Sequence, residues 1–285
     1  MFYFTDKELD DLLIEDVPYS DVTTSFLRIE NKPGKIQVAT RESTIVCCTE
    51  EIMKLFTKLG IKTTLFTPSG EQIDGNVKFL EGEGLTRSLH SVWRVTENLI
   101  GYASGIATRT RKLVDIVRNI NPGIAVATTR KTAPLTRKIA AKAVKAGGAT
   151  VHRLGLSESI LVLDNHLKFL GGIDHLRKRI AEQRIIAGSR PVCVEAGSYE
   201  EALKIAGMDV EMIVLNKFKP VEIRKLKKQI TGNKCGSKLA AAGGINADNI
   251  ADYAKSGADM LITSWPYFGN PADLTITMQP VFDVY

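Results

Sequence analysis

Two rhythms of apolar residues divide the chain. In roughly the first hundred residues, short β-type runs at 35–39, 44–47 and 62–66 are punctuated by the turn signals Pro68-Ser-Gly70 and Asp74-Gly75. An opening helix is predicted from Asp6-Lys7-Glu8-Leu9 through Leu13, and a long helical stretch from about 85 to 119 with one candidate break at Ser104-Gly105. From about residue 120 the pattern changes. Short, mostly apolar runs at 124–127, 160–163, 192–194, 212–215, 238–241 and 260–263 alternate with helical segments, clearest at 199–206, 220–230 and 247–255. A strand apolar at every position must be covered on both faces, and helices between parallel strands do the covering. The second part is therefore predicted to be α/β, an incomplete parallel α/β barrel behind a smaller mixed domain. No fixed-period repeat, low-complexity tract or long linker interrupts it.

Parallel α/β folds collect ligands at the C-terminal ends of their strands. The residues just after each apolar run are Thr128-Thr-Arg-Lys-Thr132, Asp164-Asn-His166, Glu195, Asn216-Lys217, Ala242-Gly-Gly-Ile-Asn246 and Ser264. This set is polar, charged and glycine-rich, as a site would be.

Charge sharpens the picture. The net charge is only +6, yet no acidic residue lies between Asp115 and Glu158, while Arg118, Arg130, Lys131, Arg137, Lys138, Lys142, Lys145 and Arg153 fall in that interval. Such a field suits phosphates or carboxylates on a partner. Lys138, Lys142 and Lys145 share one side of a helix, opposite Leu135, Ile139 and Ala143, and read as a solvated basic face. The basic stretch lacks interleaved aromatics, so no nucleic-acid partner is expected. No apolar run approaches the roughly 20 residues of a membrane span, and the first residues do not read as a secretory signal; a cytoplasmic protein is expected. Cys47, Cys48, Cys193 and Cys235 form neither a CxxC pair nor a zinc spacing and read as reduced thiols. The fingerprints of P-loop NTPases, dinucleotide enzymes, zinc peptidases and nucleophile-elbow hydrolases are missing from the sequence.

The individual motifs point to anions. Thr129, Arg130 and Lys131 put a planar guanidinium fork and a compact ammonium directly after a strand. His152 and Arg153 add an imidazole and a second fork. Gly243 and Gly244, with a helix opened by Asn246, allow backbone amides to approach an oxyanion, and Ser264 follows the last strand. Glu195 could bind sugar hydroxyls or a phosphate-bound Mg²⁺, or pair with a neighbouring Lys or Arg. Arg94 reads locally as the partner of Glu97, three residues on.

In order and spacing, Thr129-Arg-Lys-Thr132, His152-Arg-Leu-Gly-Leu156, Asp164-Asn-His166, Val194-Glu195 and Ala242-Gly-Gly-Ile245 resemble the quinolinate phosphoribosyltransferase (nicotinate-nucleotide pyrophosphorylase) family. Arg94 through Asn98 and on to Thr108 resembles that family's inter-domain helix. The wording Ala103-Ser-Gly-Ile-Ala-Thr-Arg-Thr-Arg111, His152-Arg-Leu-Gly-Leu-Ser-Glu158 and Thr263-Ser-Trp-Pro-Tyr267 is closest to the ModD branch, associated with molybdate-transport loci. The resemblance spans roughly residues 5 to 270. It implies an N-terminal α/β sandwich at 1–108, joined by the tail 270–285, and an incomplete α/β-barrel phosphoribosyltransferase domain at 109–269. It implies a homodimer with shared active sites, into which Arg94 reaches across the interface. Arg130, Arg153, Lys131, His152 and Thr129 would hold a small anionic heterocyclic acid. Lys131 and Glu195 would be catalytic, with Glu195 meeting the ribose or the Mg²⁺ of phosphoribosyl pyrophosphate. Gly243, Gly244 and Ser264 would hold a phosphate.

Two positions depart from the family's pattern. Leu163 stands where the quinolinate enzymes have a lysine, and Asn216-Lys217 stands where they have Asp-Asn. Both bear on the acceptor and on decarboxylation more than on phosphoribosyl transfer. A non-catalytic anion sensor linked to molybdate handling is the competing expectation, and a Schiff-base lyase using Lys131 or Lys217 a weaker one.

Overall fold

The computed structural model describes residues 2–232 and 236–281. Its elements begin with α1 (Asp6–Asp16), α2 (Val22–Phe26), β1 (Pro33–Thr40), β2 (Thr44–Ile45), α3 (Thr49–Lys58), β3 (Lys62–Phe66), β4 (Gln72–Ile73), β5 (Lys78–Leu85) and α4 (Thr86–Ile120). They continue as β6 (Ala125–Thr128), α5 (Arg137–Ala146), β7 (Thr150–Val151), β8 (Ile160–Val162), α6 (Asp164–Leu170), α7 (Ile173–Ala187) and β9 (Val192–Ala196). The last are α8 (Tyr199–Ala206), β10 (Met212–Asn216), α9 (Pro220–Gly232), β11 (Lys238–Ala242), α10 (Ile250–Ala254), β12 (Met260–Thr263) and β13 (Leu274–Pro280). Two compact units share them. The first takes the chain through Arg111, Lys138–Gly148 and the chain from Gly269; the second takes Lys112–Arg137 and Ala149–Phe268.

In the first unit an antiparallel sheet runs β13-β1-β5-β3. Its β1 buries every second side chain, the pattern of a strand with one covered face. Helix α1 starts at a reciprocal cap: Glu8 N–H donates to Thr5 Oγ1 at 3.3 Å and Thr5 N–H donates to Glu8 Oε2 at 2.8 Å. The expected break at Ser104-Gly105 does not occur, since α4 runs 35 residues unbroken. These small residues instead admit neighbours. Ser104 Oγ accepts from Cys47 N–H at 2.9 Å, and a Cβ on Gly105 would lie 2.7 Å from the Asn270 carbonyl. The Cys47 and Cys48 sulfurs are 3.9 Å apart and unbonded; Cys193 is also free, and Cys235 lies outside the described residues.

The expected solvated face of α5 is corrected. Lys142 Nζ is buried against Glu50, at 2.7 Å, and Glu51, while Lys138 Nζ holds Glu8 at 2.6 Å. Lys145 remains exposed. Leu135 precedes the helix, with φ 65° and full exposure, so it is no part of a buried stripe.

The second unit is an all-parallel seven-stranded sheet in the order β7-β6-β12-β11-β10-β9-β8. Strands β8 to β12 are neighbours in sequence order, and β12 then pairs with β6. The edge strands β7 and β8 stay unpaired with each other, so the barrel is incomplete. Ala127, Cys193, Val214, Ala240 and Ile262, one from each of five strands, form a buried layer. Small residues at two of the five positions suit the narrow interior of a curled sheet.

Candidate active site

The pocket is the layer directly above that apolar plug. Side chains two apart on a strand share a face. Stepping two residues from Ala127, Cys193, Val214, Ala240 and Ile262 gives Thr129, Glu195, Asn216, Ala242 and Ser264, and all five line one cavity of about 620 Å³. Leu161, Val214 and Ile262 form its floor. Arg130, Lys131, His152, Arg153, Gly243 and Gly244 line the same cavity. Of the residues the resemblance makes catalytic, acid-binding or phosphate-binding, Arg94 alone lies elsewhere.

The rim is ordered by charge. Arg153 and His152 follow β7, and Arg130 and Lys131 follow β6. Arg153 is only 8% exposed, and no carboxylate pairs with it among the described residues. Burial, and then the neighbouring Arg130 guanidinium, push its pKa down. A buried cation beside a second cation calls for an anion from outside the protein. Burial, then Arg153, also lower the pKa of His152, which favours the neutral imidazole.

The next sector holds the glycine turn and Ser264. The Thr129 and Ser264 hydroxyls are 2.6 Å apart and tie the rims of β6 and β12 together. Tyr267, to which the sequence had attached no role, donates its hydroxyl to Thr128 Oγ1 at 2.7 Å and to the Thr129 carbonyl at 3.0 Å. Gly243 and Gly244 both have positive φ, 93° and 77°. A Cβ on Gly243 would come within 2.8 Å of Asn216 Oδ1 and of Lys217 Cγ, so the turn passes too close to β10 for any side chain. One expectation fails here. The helix after the turn does not open at Asn246; α10 begins at Ile250 and has five residues, because Asn246 Oδ1 accepts from Asp248 N–H at 2.9 Å and closes a local turn first. The turn therefore offers its own amides without a helix dipole.

The last sector is acidic and neutral. Among the described residues Glu195 makes no ion pair: it accepts from Asn216 Nδ2 at 3.4 Å. Burial raises its pKa; the Asn216 hydrogen bond opposes this, and Asp164 adds to it. Asp164 pairs with Lys168 at 2.6 Å. Leu163 lines the pocket and its N–H donates to His166 Nδ1 at 2.9 Å, which opens α6 and keeps His166 out of the lining.

Arg94 lines a hollow of the first unit, with Glu97, Asn98, Tyr102 and Arg109. It pairs with Glu97, and its guanidinium lies 4.8 Å from the Trp93 ring centroid.

The fold and the pocket define an incomplete α/β barrel whose strand ends carry a cation-lined cavity. Sequence profiles described as "Quinolinate phosphoribosyl transferase, C-terminal domain" and "Quinolinate phosphoribosyl transferase, N-terminal domain" match residues 106–277 and 21–104. The chain belongs to the quinolinate phosphoribosyltransferase family, whose enzymes are pentosyltransferases. A Rhodobacter capsulatus protein with the provisional name pyrophosphorylase ModD is 38% identical over 257 residues, 90% of this chain and 98% of its own length. A Pasteurella multocida protein of the same provisional name is 32% identical over 279 residues, covering 98% and 99%. The structure of nicotinate-nucleotide pyrophosphorylase from Francisella tularensis superposes with a TM-score of 0.87 at 26% identity, over 96% of this chain and 95% of that one.

Proposed function

We propose that the chain transfers the ribose-5-phosphate of phosphoribosyl pyrophosphate to a ring nitrogen of an anionic heterocyclic acid, quinolinate or a relative, releasing pyrophosphate. The observation that carries this is Arg153, buried beside Arg130 with no carboxylate partner among the described residues, in the cavity that also holds the glycine turn. The acid's carboxylate would sit on Arg130 and Arg153, with Lys131, Thr129 and His152 around it. The donor's phosphates would sit on Gly243, Gly244 and Ser264.

The ring nitrogen's lone pair forms the new bond to the anomeric carbon, and the bond to pyrophosphate breaks with its electron pair leaving on oxygen. Positive charge develops on the ribose in between, so placement and a nearby carboxylate are the protein's main contributions. Glu195 is that carboxylate, and Lys131, beside the acid, helps hold its ring nitrogen in line with the anomeric carbon. The pocket's carboxylates, Glu195 and Asp164, are too few for a protein-built cage, and no three metal-binding side chains cluster among the described residues. That donor set fits a Mg²⁺ carried in on the donor's phosphates and held by Glu195 and Asp164, where it would neutralise the leaving pyrophosphate. Leu163 gives the acid an apolar neighbour on the β8 side, so the acceptor need not be charged on that edge. We also place the working molecule as a homodimer in which Arg94 completes the partner's site.

The test is pyrophosphate release from phosphoribosyl pyrophosphate across a panel of pyridine, pyrrole and purine acids, with and without Mg²⁺. Release with at least one acid is expected. Silence across the panel, in a chain that still binds the sugar donor tightly, would overturn the transfer reading.

A further inference from the structure

We infer that Lys217 is a phosphate-binding residue for the sugar donor, adding a cation from the β10 rim to the Gly243-Gly244 turn. This rests on the transferase reading above and deepens it. Lys217 follows the pocket residue Asn216 at the end of β10. Its N–H donates to the Ala242 carbonyl at 2.7 Å, which fixes it to the strand that delivers the glycine turn. A Cβ on Gly243 would strike Lys217 Cγ at 2.8 Å, so the lysine stem already lies against that glycine.

The backbone there is left-handed, φ 62°, a conformation that Gly and Asn adopt readily and Lys does not. A non-glycine residue held in such a conformation is a candidate for function. Nor does the charge serve the fold. Elsewhere in this unit Lys204 pairs with Asp174 at 3.0 Å and Lys227 with Asp259 at 2.8 Å, whereas Lys217 is exposed and has no acidic partner among the described residues. An ammonium on a flexible stem, rooted beside a turn whose amides suit an oxyanion, is the arrangement that phosphate binding uses. Asn216 beside it is neutral, so nothing on the β10 rim competes for the charge.

The donor carries phosphate at two places, the 5-phosphate and the pyrophosphate, and separate probes distinguish them. Calorimetric titration of the full chain with ribose-5-phosphate and with inorganic pyrophosphate is compared with the same titrations of K217N and K217R. K217N removes the charge in a residue that tolerates φ 62°, so it folds; a thermal melt verifies this. The expected result is about a tenfold loss of affinity in K217N for one probe, with K217R within about threefold of the parent. Loss confined to ribose-5-phosphate places Lys217 on the 5-phosphate, and loss confined to pyrophosphate places it on the leaving group. Equal affinity of parent and K217N for both probes would overturn the inference and leave the transferase reading standing. A parent chain that binds neither probe nor phosphoribosyl pyrophosphate would remove both.

Discussion

The side-chain amide of Asn216 donates to Glu195 Oε1 at 3.4 Å across the parallel pair β9 and β10, and this is the hydrogen bond that opposes the burial of the Glu195 carboxylate. A neutral donor eases the charged form without adding a charge. Burial still dominates, and the pKa of Glu195 remains raised.

If Glu195 works as a carboxylate, activity must fall on the acid side with a midpoint above the ordinary carboxylate range. A pH profile of kcat/KM is expected to show that limb. Asn216→Asp would exchange the donor for a second acid and move the limb to higher pH. Glu195→Gln is expected to cut kcat by about 10²- to 10⁴-fold. The same change should raise Tm. The folded chain holds the Glu195 proton more tightly than the unfolded chain, so stability declines as pH rises from the ordinary carboxylate range through the raised value, and the amide escapes that decline. A Tm for Glu195→Gln that falls at pH 8 would contradict the burial argument.

Arg153 carries the opposite logic. Its charge is buried and lies beside Arg130, so the empty pocket gains nothing from it. Arg153→Met is expected to fold with an unchanged or higher Tm and to lose about a hundredfold in affinity for the acid, the scale of removing one partner from a buried charge pair. Titrating sulfate or the acid against Tm should stabilise the parent chain more than the variant. A variant that melts well below the parent would mean that Arg153 holds the fold together.

The two glycines of the turn are not equivalent, although both have positive φ. A methyl on Gly243 meets Asn216 and Lys217 at 2.8 Å and the Lys217 nitrogen at 3.0 Å, whereas a methyl on Gly244 meets nothing within 4 Å. Gly244→Ala therefore costs only backbone strain, about 1 kcal/mol. Gly243→Ala adds a collision with backbone and should cost roughly 2–4 kcal/mol while weakening donor binding. Urea melts of the two variants, read beside the KM for phosphoribosyl pyrophosphate, test the ranking.

Most of the site was legible because parallel strands are continuously apolar and their ends are where the polar residues begin. The runs that became β10, β11 and β12 each delivered a pocket residue at the first position after them, Asn216, Ala242 and Ser264. The first unit was harder to read. Strand β5 reads KFLEGEGL, whose glycines and glutamates mimic a loop. Gly82 is required because a Cβ there would lie 2.7 Å from Ile61 Cγ2, a distant contact that local sequence does not reveal. The charges of Lys138 and Lys142 were visible, but their partners lie 130 and about 90 residues away. Spacing on a helix tells which side a lysine occupies, and what covers that side is decided by the rest of the chain.

The Lys142 cluster gives the last expectation, one of stability. Lys142 Nζ is shared between Glu50 and the almost fully buried Glu51. Burial alone would raise the Glu50 pKa, but hydrogen bonds from Lys142 and from the Ser69 hydroxyl and N–H outweigh it and bring the value down to about 2. A carboxylate depressed in this way stabilises the folded chain above the ordinary carboxylate range, and the contribution disappears as pH falls from there toward about 2. Lys142→Ala strands two acids, one of them in the interior, and is expected to cost about 3–5 kcal/mol at pH 7. The loss should shrink as the solution is acidified, because the stranded Glu50 carboxylate then loses its charge. Replacing all three residues together, as Lys142→Met with Glu50→Gln and Glu51→Gln, should recover much of the loss at neutral pH and flatten the acid limb. Urea midpoints from pH 3 to pH 8 separate this ion-pair account from simple loss of packing, which would cost the same at every pH.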